Sequence, residues 1–160
     1  MKTSCLLIAS LFLVSLPAWA QSQFQIDLVS SVRKNIHVDD AWTNNADAVE
    51  AKVSASPESP AAGVSIKAYF YSAEGKLIHT ANKPSDVNAM NGNTVPNPVN
   101  FDAGKKYSFY FGVPAKIQKG KDKWKRVIVV FGKGEQISAK IYPKDDLTKF
   151  EFPEKASIKP

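Results

Sequence analysis

The sequence predicts an all-β protein, a single antiparallel β-sandwich of seven or eight strands. Three observations support this fold class. Apolar residues recur at every second position in several short segments, as the two faces of a half-buried strand require. Turn-forming residues separate these segments, and no long segment has the apolar repeat of an amphipathic helix. Many short strands without helices favour two sheets packed face to face.

Residues 1–20 have the features of a secretory signal peptide. Lys2 supplies a positive charge, an apolar run covers Cys5–Leu16, and the segment ends in the small-residue pattern Ala18-Trp19-Ala20. Such a segment is typically removed after its last alanine. Because the apolar run is too short to cross a bilayer, we predict no membrane span. The mature protein is therefore expected to be exported, whether periplasmic, at the cell surface or secreted.

The rest of the chain fits a single domain. Residues 21–155 are predicted to form the sandwich, and residues 156–160 a flexible C-terminal tail. The only cysteine lies in the signal segment, so the mature domain is expected to have no disulfide and no thiol nucleophile. Packing of the core alone must then stabilise the fold.

Alternation places the first strands in order along the chain. One strand, or two in succession, is predicted between Ile26 and Val38, with an interruption near Lys34-Asn35. A polar turn is expected over Asp39–Asp47, and the next strand alternates from Val49 to Ala55. A hairpin should follow, because two strand-like segments flank the short loop Ala73-Glu74-Gly75.

The second half of the chain contains further strand-like segments. Residues 82–100 lack a clear pattern and are expected to form a long connection between the sheets. Trp124–Phe131 has few polar residues, which predicts a strand buried on both faces, and Gln136–Tyr142 alternates again. The pair Phe150 and Phe152 predicts a last edge strand.

The segment from Phe101 to Phe111 is the most distinctive part of the predicted sandwich. Gly104 supplies a turn, and from Tyr107 aromatic residues occupy alternate positions on one face of a strand. This arrangement resembles the tyrosine corner of fibronectin type III and immunoglobulin-like domains, in which a tyrosine hydroxyl bonds to nearby backbone. The resemblance implies an immunoglobulin-like sandwich in which Tyr107 and Gly104 have structural roles.

The sequence has no recognisable catalytic or metal-binding pattern. Its two histidines, His37 and His79, lie in no motif, and zinc requires three or four clustered ligands. The acidic pairs Asp39-Asp40 and Asp145-Asp146 lack the spacing of a calcium loop. We therefore predict no catalytic activity, no cofactor and no metal site, and no specific nucleic-acid partner.

Positive charge is concentrated in one part of the sequence. The chain has 21 lysine and arginine residues against 15 aspartate and glutamate residues. Between Lys105 and Arg126, Asp122 is the only acidic residue. Such a run predicts either a polyanion site or a solubilising surface. The candidate contact residues, expected in and just after one hairpin loop, are Lys116, Lys119, Lys121, Lys123, Lys125 and Arg126.

Two functions remain open from the sequence. A signal segment followed by a cysteine-free domain of this kind is similar to small exported bacterial proteins associated with pili. This favours a non-catalytic immunoglobulin-like domain with a structural or protein-interaction role in a surface assembly. The alternative is a module that binds an anionic glycan or another polyanion through the basic hairpin. Trp42 and Trp124 are candidate exposed aromatics for either role, although Trp42 is also suited to cover one end of the core.

Overall fold

A computed structural model describes residues 22–39, 41–88 and 95–158, and in these ranges the protein is all-β. The described residues form eight strands, as predicted: β1 Phe24–Val38, β2 Ala41–Ala55, β3 Ala61–Tyr71, β4 Leu77–Ala81, β5 Val99–Phe101, β6 Lys106–Gly112, β7 Arg126–Lys133 and β8 Gln136–Tyr142. Three short 3-10 helices cover Ala115–Ile117, Leu147–Lys149 and Lys155–Ser157. None of the helices in the described ranges is long and apolar enough to span a membrane. The predicted signal segment, residues 1–20, lies outside these ranges.

The strands form two antiparallel sheets in the arrangement of a β-sandwich. The first sheet has the order β1-β2-β6 and the second the order β4-β3-β7-β8, while β5 pairs with the first part of β3. The chain therefore passes from the first sheet to the second between β6 and β7. The prediction that residues 116–126 belong to a hairpin is wrong, because the strands that flank them pair with different partners.

One apolar core fills the space between the sheets. Alternate residues of β2 and β3 face each other across it, and β7 contributes Val127, Val129 and Phe131. Phe101 of the short strand β5 lies at the centre of an aromatic cluster. Its ring centroid is 4.9 Å from Tyr107, 5.9 Å from Phe109 and 6.1 Å from Phe131. Ring packing of this kind adds to the stabilisation that burial alone provides.

In the second sheet β7 is buried on both faces, as its apolar run predicted. The outer face of this sheet carries a second apolar cluster that includes Tyr69 and Tyr71 of β3. The segment after β8 covers this cluster, with Phe150 5.0 Å from Tyr71 and Phe152 6.0 Å from Tyr69 between ring centroids. The last edge strand predicted from these two phenylalanines is absent from the described residues. Both phenylalanines lie instead in an irregular segment between two 3-10 helices. Ile158, in the predicted tail, packs against the same cluster.

The hairpin of β1 and β2 is longer than predicted. Each strand has 15 residues, so the polar turn expected over Asp39–Asp47 is mostly strand. The register shifts between Lys34 and Ile36, where the sequence predicted an interruption. Opposite this shift, Asn45 has a positive φ of 50° and its N–H donates to Asn35 Oδ1 at 2.8 Å. Asparagine tolerates this left-handed conformation better than most residues. This explains why the polar pair Asn35 and Asn45 lies within the strands of the hairpin.

Tyr107 and Gly104 both make contacts that attach the turn before β6 to its surroundings. The Tyr107 hydroxyl accepts a hydrogen bond from the Asp102 N–H at 2.8 Å, and the ring packs on Phe101. Gly104 has a φ of +69°, which favours glycine, and its N–H donates to Ser56 O at 2.8 Å. The turn before β6 is thereby attached to the loop that follows β2.

Replacing Tyr107 with phenylalanine should lower the free energy of unfolding by about 1 kcal/mol, since the Asp102 N–H loses its acceptor. Asp102 is exposed, so water can replace part of the lost bond. Urea denaturation of both proteins measures the difference. An unchanged midpoint would show that the hydroxyl contributes nothing to the stability of the corner.

Candidate functional site

The basic connection, residues 113–125, is an ordered link between the two sheets. Ile117 is only 3% exposed and belongs to the core between the sheets. The Trp124 N–H donates to Ile117 O at 2.8 Å, and the Lys125 N–H donates to Tyr71 O at 2.8 Å. At the other end the Val113 N–H donates to Asp47 O at 2.9 Å. Both ends of the connection are therefore fixed to the sandwich, and its lysines are displayed from a defined backbone.

The lysines of this connection lie close together in the sequence, and none of them forms an ion pair in the described part of the chain. Five exposed lysines form no ion pair within the described part of the chain: Lys116, Lys119, Lys121, Lys123 and Lys125. By contrast, ion pairs are formed by Arg33, Lys67, Arg126, Lys149 and Lys155. The basic connection thus concentrates uncompensated positive charge in one short segment, whereas the ion pairs of the described residues lie elsewhere in the sandwich.

Arg126 is separate from these five lysines in its interactions. It is half-buried at the start of β7, and its guanidinium pairs with the Asp145 carboxylate in the turn after β8. This hydrogen bond, with one from the Asp146 N–H, lowers the pKa of Asp145. Arg126 therefore links β7 to the segment that covers the outer face.

A shallow depression of about 340 Å³ lies where the basic connection meets β4. Lys76, just before β4, and Lys116 provide its positive charge, and Asp122 also lines it. Leu77 is 42% exposed and gives the depression an apolar side. The depression offers an anionic ligand two ammonium groups beside an apolar contact.

The two candidate aromatics are partly buried rather than fully exposed. Trp124 packs edge-on against Phe70, with ring centroids 5.8 Å apart, and so belongs to the border of the core. Trp42 lies 5.3 Å from His37 between ring centroids, and its Nε1–H donates to Asn44 Oδ1 at 3.0 Å. The structure therefore gives each tryptophan a packing role.

A second concave site, not predicted from the sequence, lies at the end of the sandwich. This cleft has a volume of about 640 Å³ and is bounded by the turn of the β1–β2 hairpin, by β4 and by residues 82–86 and 95–97. Gly112 lets the hairpin approach, because a Cβ there would lie 2.5 Å from Val38 Cγ2. Both histidines of the sequence, His37 and His79, line this cleft.

The surroundings of His79 in the cleft favour its neutral form. Burial lowers its pKa, and the positive charge of Lys116 lowers it further, against the opposing effect of Asp39. Its ring lies 5.7 Å from that of Phe70. A neutral imidazole has one nitrogen that donates and one that accepts, so His79 is suited to bind polar groups.

The histidines and carboxylates of the cleft are not grouped as metal ligands. Throughout the described ranges, no three residues among histidine, cysteine, aspartate and glutamate are placed to hold a metal ion together. Sequence reasoning assigned His37 and His79 to no site because they lie on different strands, in no motif. Only the fold places them around one cleft.

The geometry defines the protein as an antiparallel two-sheet β protein with a basic surface and a polar cleft. No protein-family model matches this chain, and no curated protein or solved structure is detectably similar to it.

Proposed function

We propose that this chain is a non-catalytic, exported, immunoglobulin-like domain whose basic connection binds a linear polyanion, such as a sulfated or sialylated glycan. The observation that carries the proposal is the concentration of charge: five exposed lysines lie on the one connection 113–125, and none of them forms an ion pair in the described ranges. The predicted signal segment supports export, and the corner at Tyr107 supports the immunoglobulin-like type.

The electrostatics of the basic connection favour an anionic ligand. Like charges on one short connection repel each other, and an anionic ligand relieves this repulsion. Because its two ends are fixed by hydrogen bonds to Asp47 and Tyr71, little ordering of the backbone is needed on binding. Lys76 extends the positive surface beyond the connection onto the start of β4.

The test replaces Lys116, Lys119, Lys121 and Lys123 with glutamine and measures retention on a heparin column. Retention should be largely lost, because each neutralised ligand charge releases a counterion and these lysines provide most of that effect. Wild-type retention should fall steeply with salt, as the Debye length shrinks from about 10 Å at 0.1 M to about 3 Å at 1 M. The substitutions are at the surface, so the variant should stay folded.

The matched control removes the same charge elsewhere. It replaces four exposed lysines outside the connection with glutamine: Lys52, Lys105, Lys106 and Lys144. This control should elute at a salt concentration closer to that of the wild type. Equal loss of retention in both variants would mean that net charge alone causes binding.

A structural role in a surface assembly, of the kind associated with pili, is the second candidate. The observation that favours it is the edge strand β4, which among the described strands pairs only with β3. An edge of this kind accepts a strand from a neighbouring chain. Concentration-dependent oligomers in analytical ultracentrifugation, together with heparin retention that the four lysine substitutions leave unchanged, would favour this role over polyanion binding.

A further inference from the structure

The depression between β4 and the basic connection combines three kinds of chemical group. Its lining residues are Lys76, Leu77, Ile78, Lys116, Ile117 and Asp122. The two lysines supply ammonium groups, and Asp122 supplies a carboxylate that forms no ion pair in the described ranges. Leu77 adds an apolar side chain that is 42% exposed. Ammonium groups donate hydrogen bonds and a carboxylate accepts them, so a ligand that matches this surface has an anionic group, hydroxyl donors and an apolar part.

The walls of the depression are open to solvent, whereas its floor belongs to the core. Four of the lining residues are exposed: Lys76, Leu77, Lys116 and Asp122. Ile117 is 3% exposed and lies in the core between the sheets, and the partly buried Ile78 packs against the same core. A ligand can therefore reach every charged group of the depression, and it meets a floor that is fixed by packing.

Backbone hydrogen bonds hold both walls of the depression. On the side of β4, the Lys76 carbonyl accepts from the Ser72 N–H at 2.9 Å, which closes the turn between β3 and β4. On the side of the connection, the Lys123 N–H donates to Gly120 O at 3.3 Å and closes the turn that contains Asp122. The backbone of both walls is thus ordered before a ligand binds, which reduces the entropy cost of binding.

The size of the depression suits one unit at the end of a chain rather than a long stretch of it. Its volume of about 340 Å³ is at the lower end of the range for small-molecule sites, about 300–1,000 Å³. A single sugar ring with its substituents is a ligand of this size. A carboxylated sugar with an acyl group offers an anionic group, hydroxyl donors and a methyl group together, whereas a bare polyanion such as polyphosphate offers only negative charge.

We propose that this depression binds a terminal carboxylated, N-acylated sugar, of which N-acetylneuraminate is an example. Lys76 and Lys116 pair with the sugar carboxylate. Asp122 accepts hydrogen bonds from the sugar hydroxyls, and Leu77 packs against the acyl methyl group. The sugar occupies the same basic surface as the proposed polyanion, so this site rests on the proposed function and narrows its ligand to a glycan with a carboxylated end.

The test titrates the protein with N-acetylneuraminate and follows the ring Hε1 signals of its two histidines by proton NMR. The positive charge of Lys116 lowers the pKa of His79, so a carboxylate bound beside Lys116 should raise that pKa. At about pH 6 the His79 signal should therefore shift in a saturable way. His37 packs on Trp42 and does not line the depression, so its signal should stay in place as an internal control. The methyl ester of the sugar, which has no charge, should bind at least tenfold more weakly.

The variant Asp122→Ala separates recognition of a sugar from attraction of negative charge. Because the hydroxyls lose their acceptor, it should bind N-acetylneuraminate several-fold more weakly. Its retention on heparin should stay the same or increase, since the basic surface has lost one negative charge. Leu77→Ser should also weaken sugar binding several-fold and leave heparin retention unchanged. Glu135→Ala is the matched control, because it removes an exposed carboxylate from the β7–β8 turn, and it should leave the affinity for the sugar unchanged.

Three outcomes would overturn the proposed sugar site even if the lysine variants support polyanion binding. The first is a His79 signal that does not respond to N-acetylneuraminate at millimolar concentration. The second is tighter sugar binding by Asp122→Ala, which would mean that the depression attracts charge alone. The third is equal binding of the methyl ester. Sugar binding that depends on Asp122 and Leu77, together with equal loss of heparin retention in both four-lysine variants, would support this site and contradict only the proposal for the whole connection.

Discussion

Replacement of Phe101 with alanine should lower the free energy of unfolding by about 3–5 kcal/mol, as truncation of a buried phenylalanine usually does. Phe101 is 1% exposed, and its ring contacts Phe24, Tyr107, Phe109 and Phe131. Its removal leaves a cavity between the two sheets. The neighbouring rings could fill this cavity only by adopting unfavourable side-chain conformations. Urea denaturation measures the loss as a lower midpoint with an unchanged slope.

Leu28→Ala is the control for this experiment, because Leu28 is 46% exposed on β1 and should lose less than about 1 kcal/mol. The comparison also tests β5, a strand of only three residues. A loss below about 1 kcal/mol in the Phe101 variant would show that β5 does not contribute its ring to the core.

Ionisation of Tyr71 alone should lower the free energy of unfolding by about 2–3 kcal/mol as the pH rises from 10 to 12. Tyr71 is one of two neutral phenols that are buried on the outer face of the second sheet. Burial, with the nearby carboxylates of Glu151 and Glu154, raises the pKa of Tyr71 to about 12. Burial and the hydrogen bond to Glu154 also raise the pKa of Tyr69. The Tyr71 hydroxyl donates to Glu151 O at 2.8 Å, a bond that its ionised form cannot make.

The direction of the effect follows from proton binding. In the unfolded chain a tyrosine ionises near pH 10, whereas folded Tyr71 keeps its proton up to about pH 12. The folded state therefore binds more protons in this range, so its stability is complete below pH 10 and is lost as the pH rises towards 12. A pKa difference of about two units corresponds to about 2.7 kcal/mol.

Urea denaturation at pH 9 and pH 11.5 measures this loss, and Tyr71→Phe is the informative variant. It removes the ionisable group and keeps the ring that packs on Phe150, so its stability should depend less on pH than that of the wild type. The same pH dependence in both proteins would mean that the fold does not raise the pKa of Tyr71.

The sequence by itself determined the strands that alternate clearly. The inward set of β2 from Val49 to Ala55, the hairpin of β3 and β4, and the one-sided aromatic row of β6 all lie where the pattern placed them. Alternation is a local property, since successive side chains on an extended backbone point to opposite faces whatever the rest of the chain does. The turn at Gly104 is local for the same reason, because its positive φ depends on the lack of a side chain.

Only the tertiary structure decided which surfaces meet. Phe150 and Phe152 alternate like a strand, yet they cover the outer face of the second sheet, since Tyr69 and Tyr71 offer them an apolar surface that no local pattern reveals. The basic residues before Arg126 were assigned to a hairpin, because the sequence does not state that β6 and β7 pair with different partners.

The cleft shows the same limit most clearly. His37, His79 and Asp86 come from three separate segments, and one of the elements that enclose them is the β1–β2 hairpin, whose register shifts near Asn35 and Asn45. Contacts between residues far apart in the chain depend on strand order, register and the approach permitted by Gly112. These quantities are set by the packing of the whole sandwich, so the sequence pattern predicts strands but not the site that they enclose.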